Sequence, residues 1–392
     1  SAVSFDKELP ENNIVTIQPD SLRILHNPLT GWVLYASMGV DAADFWAQYD
    51  HMYIPELGHN VSVTDYAHTL YIRASWTDFN PQEDVYGWKI DSNLRAYIEG
   101  AYQRNMRLAF RVVVDSRDKR TEFTPQFVKD AGAKGFMNKG KWSPYSDDSV
   151  FQKYYTKFVK ALAKDFNDPS KVEFIDGFGL GKWGEYHTMI YSTGDDTPKK
   201  AVFDWVTDIY SQAFDKVPVV INYHRWIGAG KDWVDDEHFA ADSEEMLEGA
   251  IKKGYSLRHD AFGMTTYYGS WERRFAKKYR NICPIIMEGG WIVKSHSYWQ
   301  DPRGYRKDSH EDVRRGEFDD SKEAHVNMMD FRFGDTESWF KDAFDLVRRF
   351  LREGGYRLYP SEISLPLEVS KKTTPTIKHC WNNMGWGYCP TN

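Results

Sequence analysis

Three consecutive stretches decide the fold. Residues 107–114 read Arg-Leu-Ala-Phe-Arg-Val-Val-Val, residues 150–166 read Val-Phe-Gln-Lys-Tyr-Tyr-Thr-Lys-Phe-Val-Lys-Ala-Leu-Ala-Lys-Asp-Phe, and residues 174–180 read Phe-Ile-Asp-Gly-Phe-Gly-Leu. The outer two are short apolar runs of strand length. The middle one is amphipathic at the helical period, so the set reads as a strand, a helix and a second strand. The alternation continues in both directions. Further β-like runs stand at 32–37, 69–75, 217–223, 261–265, 284–287 and 328–333, with amphipathic stretches at 94–104, 202–214, 242–253 and 339–351 between most of them. Eight such runs interleaved with helices predict an α/β fold of the (β/α)8 TIM barrel type. A doubly wound sheet would place a Gly-rich phosphate turn after its first strand. Gly31 and Gly39 flank that run, but no GxGxxG occurs.

Two breaks set the predicted domains. Residues 1–30 are polar and dotted with Pro and Asn, with one strand-like stretch at 14–17, and read as a lead-in segment. Residues 31–358 make the barrel, whose last helical pattern is stopped by Gly354-Gly355. Residues 359–392 alternate in strand fashion and are too short to bury a core alone, so they read as the opening strands of a partial C-terminal β-sandwich.

Composition narrows the function. The net charge is -7 with both signs interspersed, which leaves no basic stripe for nucleic acid. No apolar run has the length of a membrane span. Three cysteines make no disulfide framework, although Cys380 and Cys389 could pair across a hairpin. The chain begins Ser1-Ala2 with no apolar leader, compatible with a targeting segment removed upstream. The informative excess is aromatic: 15 Trp, 24 Tyr and 23 Phe in 392 residues. Such side chains fill cores, and at a cleft they offer a flat apolar face with a polar tip, suited to sugar rings.

In a barrel the site lies at the C-terminal ends of the strands. The fourth run leads into Gly179-Leu-Gly-Lys-Trp183-Gly-Glu185-Tyr-His187, and the seventh ends in Glu288-Gly-Gly-Trp291. Each places one Glu beside a Trp, and the two glutamates are 103 residues apart. The fifth run closes with Asn222-Tyr223-His224-Arg225-Trp226, and the sixth with Thr265-Thr-Tyr267-Tyr268. Arg258-His-Asp260, just before the sixth, reads as a structural ion pair. Lys139, Lys141, Arg273-Arg274 and Lys277-Lys278 read as solvated charges, with an acidic or sulfated glycan as the functional alternative.

The spacing resembles the large clan of retaining (β/α)8 glycoside hydrolases that carry an acid/base Glu after strand four and a nucleophile Glu after strand seven. The strings Asn27-Pro-Leu-Thr-Gly-Trp32, Arg73-Ala-Ser-Trp76-Thr-Asp-Phe-Asn80-Pro81, Tyr86-Gly-Trp88 and Trp183-Gly-Glu-Tyr-His187 are most similar to a β-galactosidase-like group of bacterial proteins in which such a barrel precedes a β-sandwich. The resemblance implies Glu185 as acid/base and Glu288 as nucleophile of a β-glycosidase without a cofactor. It implies an oligo- or polysaccharide substrate and a secreted, periplasmic or cell-surface location. Arg73, Trp76, Asn80, Arg111, Trp183, His187, Tyr223, His224, Tyr267 and Trp291 are the expected substrate contacts, with Arg73 foremost, and Arg111 second, in keeping Glu288 ionised. The clan commonly has Asn where this chain has Gly184. Retention further implies carboxyls roughly 5 to 5.5 Å apart. Two other readings compete. One is a non-catalytic glycan-binding barrel. The other is a metal-dependent sugar-processing barrel with Glu185, His187, His224, Asp260 and Glu288 around a divalent cation.

Overall fold

The computed structural model describes residues 12–230, 236–292, 310–372 and 374–390. Eight strands form a closed barrel: β1 (Gly31–Tyr35), β2 (Ala67–Ser75), β3 (Arg107–Val113), β4 (Val172–Asp176), β5 (Val219–Asn222), β6 (Ser256–Phe262), β7 (Ile285–Gly289) and β8 (Met328–Asp330). Each pairs in parallel with its neighbour in chain order, and β8 closes on β1. Every predicted run contains or overlaps one of these strands. Helices such as Ser92–Gln103, Ser149–Phe166, Lys199–Ala213 and Glu237–Lys252 bury one face against the barrel, and Asp91, Asp148 and Asp236 cap the first, second and fourth by accepting backbone N–H bonds. The predicted helix at 339–351 is two helices, Thr336–Asp342 and Phe344–Glu353, interrupted at Ala343.

Two strand ends depart from the reading. β4 stops at Asp176, because Gly179 and Gly181 take positive φ (+74° and +76°) and turn the chain out of the sheet. A Cβ at Gly179 would stand 2.2 Å from the Val112 carbonyl oxygen, so only glycine fits there. β6 starts at Ser256, and Arg258-His259-Asp260 lies inside it. They were expected just before the strand as a structural ion pair; Arg258 and Asp260 do pair, but from inside the strand and facing the barrel interior.

The alternation of strand side chains builds that interior. Val33, Ala109, Phe174, Val220, Ile286 and Met328 form an apolar inner layer, while Trp32, Leu34, Leu108, Phe110, Ile285 and Met287 face outward into the helix-covered core. Two residues further along the inward face come Tyr35, Arg111, Asp176, Asn222, Glu288 and Asp330, all at the C-terminal mouth.

The terminal segments join in one antiparallel sheet, Asn12–Thr16 with Leu358–Pro366 and Leu358–Pro366 with Lys378–Asn383. The lead-in thus supplies a strand to the C-terminal element, and the two are observed as a three-stranded sheet. Trp386 ties the end of the chain to the barrel, donating from Nε1 to the Val326 carbonyl at 2.8 Å and packing on Phe318. Cys380 and Cys389 are both free thiols, so no bridge closes the hairpin. No helix among the described residues is long and apolar enough to cross a membrane.

Candidate active site

A cleft of about 880 Å³ opens at the C-terminal mouth, lined by both glutamates together with Tyr35, Arg73, Lys119, Trp183, Tyr267, Trp291, Arg332 and Phe333. Trp291 and Phe333 line it with more than half of their surface exposed to solvent.

Glu185 sits on a turn held by its neighbours. Gly184 has φ +72° and Trp183 +60°. His187 Nε2 donates to Glu185 Oε2 at 2.9 Å, while His187 Nδ1 meets the Thr188 hydroxyl at 2.8 Å. His224 fixes the backbone: its Nε2 lies 2.6 Å from the Glu185 carbonyl, and its Nδ1 accepts the Trp226 N–H at 3.1 Å. A carbonyl only accepts and an amide N–H only donates, so His224 is the neutral tautomer with its proton on Nε2. Burial agrees, holding its pKa well below the ordinary histidine value.

Glu288, the last inward residue of β7, is buried. The guanidinium beside it is Arg258, whose Nη2 lies 3.4 Å from Glu288 Oε2 and 3.1 Å from Asp330 Oδ2. Arg258 Nε also meets Asp260 Oδ1 at 2.7 Å. Arg111 joins the other oxygen of Asp260 at 2.6 Å, Asp176 Oδ2 at 2.7 Å and, more distantly, Glu185 Oε1 at 3.9 Å. Tyr71 donates its hydroxyl to Asp176. One network of alternating charge therefore crosses the barrel from β3 to β8 and touches both glutamates.

In this network Asp176, Asp260, Glu288 and Asp330 share two guanidiniums, so the buried carboxylates are in excess. Burial would raise Asp260, but Arg111 and Arg258 on either side hold it well below the usual range. Glu288 moves the other way: burial raises it well above an ordinary glutamate, and the charges of Asp260 and Asp330 add to this. Burial also raises Asp330, to about 6.

The expected contacts divide into three groups. Arg73, Trp183, Tyr267 and Trp291 line the cleft with the glutamates. Arg111, His187 and His224 lie beneath it and hold Glu185 or its partners. Trp76, Asn80 and Tyr223 require correction. Trp76 is fully buried behind the barrel, stacked on Tyr155 and donating to Asn80 Oδ1 at 3.2 Å, and Asn80 donates to the carbonyls of Gln82 and Val85. Tyr223 is fully buried against Tyr268. Arg73 also departs from its expected role: it reaches the Tyr35 hydroxyl at 3.3 Å, and Arg258 is the guanidinium at Glu288 because β6 and β7 are adjacent strands with Arg258 in register with Ile286. The five residues of the metal reading do not form a ligand set, since Asp260 is held between two guanidiniums and both histidines are bonded to Glu185. Among the described residues no three His, Cys, Asp or Glu side chains converge as metal ligands.

Arg258, Asp330, Tyr35 and Lys119 were not among the expected site residues, and Asp260 was expected only in the metal reading. For Asp330 a signal existed in sequence: it stands two positions from Met328, an inward apolar residue of its own strand.

No protein-family model and no curated protein matches the chain. Solved structures with a similar outline include an exo-β-1,4-mannosidase from Opitutaceae bacterium strain TAV5 (11% identity, 86% of this chain and 62% of that one, TM-score 0.48). They also include endo-glycoceramidase II from Rhodococcus sp. (12% identity, 85% and 79%, TM-score 0.46) and an endo-1,4-β-xylanase from Caldicellulosiruptor owensensis (10% identity, 77% and 84%, TM-score 0.43).

Proposed function

We propose that the protein is a retaining glycoside hydrolase that cleaves a β-glycosidic bond of an oligo- or polysaccharide, with Glu185 as acid/base and Glu288 as nucleophile. The observation that carries this reading is that two glutamates 103 residues apart line one open cleft of a TIM barrel together with Trp183 and Trp291. Such a reaction passes through an oxocarbenium-like state, in which one carboxyl protonates the leaving oxygen while an ionised one attacks the anomeric carbon.

The surroundings fit this division of labour. Glu185 Oε2 accepts from His187, which leaves Oε1 to carry and return the proton. Glu288 attacks in its ionised form, and Arg258 stands beside both its carboxyl and that of Asp330. A double displacement calls for carboxyls roughly 5 to 5.5 Å apart. On this reading the three-stranded terminal sheet begins a β-sandwich, and the enzyme works outside the cytoplasm or at the cell surface.

The test is turnover of a panel of aryl β-glycosides followed by azide rescue. Glu288→Ala should lose the covalent intermediate, and azide should restore turnover with inverted configuration. Glu185→Ala should accumulate the intermediate on an activated leaving group, and azide should restore turnover with retention. Exchanged configurations would reverse the roles. Glycan binding with no turnover of any substrate would make the barrel a binding protein.

A further inference from the structure

Two cations at one wall of the cleft have no direct carboxylate contact among the described residues. Arg73, near the C-terminal end of β2, is half-buried, and its guanidinium reaches only a hydroxyl, that of Tyr35 at 3.3 Å. Lys119, on the loop after β3, is half-buried with its ammonium 5.2 Å from the centre of the Phe123 ring. Among the described residues neither has a carboxylate oxygen within 4.0 Å. Other cations around this mouth do: Lys182 meets Asp118 at 3.1 Å, Arg332 meets Asp335 at 3.5 Å, Arg111 meets Asp176 and Asp260 at 2.7 and 2.6 Å, and Arg258 meets Asp260 and Asp330 at 2.7 and 3.1 Å.

The Lys119 loop is built. Ser116 ties it to the neighbouring hairpin, its N–H donating to Ser143 Oγ at 2.8 Å and its hydroxyl to the Trp142 carbonyl at 2.8 Å, and it accepts the Phe123 N–H at 2.9 Å. Arg117 is clamped on Asp115 just before it. Partial burial lowers the Lys119 ammonium to about 8, with the positive charge of Arg73 the next cause. Glu185 and Asp118 offset this repulsion only in part, and an anion brought between the two cations would join them directly. The planar fork of an arginine and the point charge of a lysine together suit an oxyanion of two or three oxygens.

We propose that the glycan bound in this cleft is acidic, with a carboxylate or sulfate substituent of one sugar held between Arg73 and Lys119 while its rings lie along Trp183 and Trp291. This deepens the glycosidase reading and rests on it. The anion is recognised at the β2–β3 wall, and the bond is cleaved between Glu185 and Glu288.

The test is calorimetric binding to the Glu288→Gln protein, which prevents turnover, alongside turnover by the wild type. The ligands are oligogalacturonate, an aldouronic tetrasaccharide and a sulfated galactan tetrasaccharide, each with its carboxyl-reduced or desulfated counterpart. At least one acidic ligand should bind about tenfold or more tightly than its neutral form, the scale of one charge-assisted contact. Lys119→Gln should remove most of that preference, Lys119→Arg should restore it, and added salt should weaken the acidic ligand alone. The arm that binds tells carboxylate from sulfate. Equal binding of acidic and neutral forms, binding of no acidic ligand, or a preference untouched by Lys119→Gln would overturn the proposal. Turnover of neutral glycans without preference would overturn it and leave the glycosidase standing. Acid-selective binding with no turnover of any glycan would leave the anion site and remove the glycosidase.

Discussion

Replacing Arg258 by Met tests whether the charge network under the cleft is organised as described. Arg258 is fully buried, touches Asp260, Asp330 and Glu288 at 2.7, 3.1 and 3.4 Å, and lies 4.5 Å from the Tyr71 ring centre. Met keeps most of the stem and removes the charge. Asp260 retains Arg111, but Glu288 and Asp330 lose the one guanidinium they contact. Removing one partner of a buried ion pair costs about 3–5 kcal/mol, a large share of a folding free energy of about 5–15 kcal/mol. The cost should depend on pH. Asp330 has a folded pKa of about 6 against an ordinary 3.8, so the folded state holds the extra proton between those values. Its stabilisation is fully present below 3.8 and is lost as pH rises through about 6. Without Arg258 both carboxyls should rise further, so the deficit should be smallest near pH 5 and grow towards pH 8. Urea unfolding of wild type and variant at several pH values measures this. Adding Asp330→Asn should return about 1–3 kcal/mol by removing one unpaired buried charge. A deficit below about 1 kcal/mol at pH 7, or one that does not vary with pH, would refute the network.

On the proposed mechanism Glu288 attacks in its ionised form, so with its pKa raised kcat/KM should climb with pH along an acid limb whose midpoint lies above 4.5, the ordinary glutamate value, and Asp330→Asn should move that midpoint down; a limb at or below 4.5 would count against Glu288 as nucleophile. Gly184→Ala forces an L-residue to φ +72° with its Cβ 3.3 Å from Arg111 and Val113, so stability should fall by about 1–2 kcal/mol and kcat by more than that loss explains, as Glu185 shifts. Trp76→Ala should cost about 3–5 kcal/mol in urea unfolding and leave glycan affinity of the folded protein unchanged. Weaker binding at unchanged fold would return Trp76 to the cleft.

The barrel was legible in the sequence because eight apolar runs alternating with helical stripes have few compact solutions. The two glutamates were legible because strand mouths are where a barrel keeps its site. The position of Glu185 was read less well. A stretch rich in glycine and apolar residues passes for strand, and the positive-φ glycines that end β4 leave no mark of their own in a single sequence. Trp76, Asn80 and Tyr223 follow polar or aromatic patterns identical to those of a cleft residue, and only their packing shows that they face the core.

By itself the sequence determined the period of each element, and hence which side chains share a face, since alternation along a strand is local geometry. It thereby placed Ile286 with Glu288 and Met328 with Asp330. Which strands are neighbours is a matter of closure. Only the closed barrel put β6 beside β7, made Arg258 the cation of Glu288 in place of Arg73, and left Arg73 and Lys119 at one wall with no carboxylate in direct contact among the described residues. The tertiary structure decided these pairings because charges interact across space, and distance in space is set by how the sheet closes and not by separation along the chain.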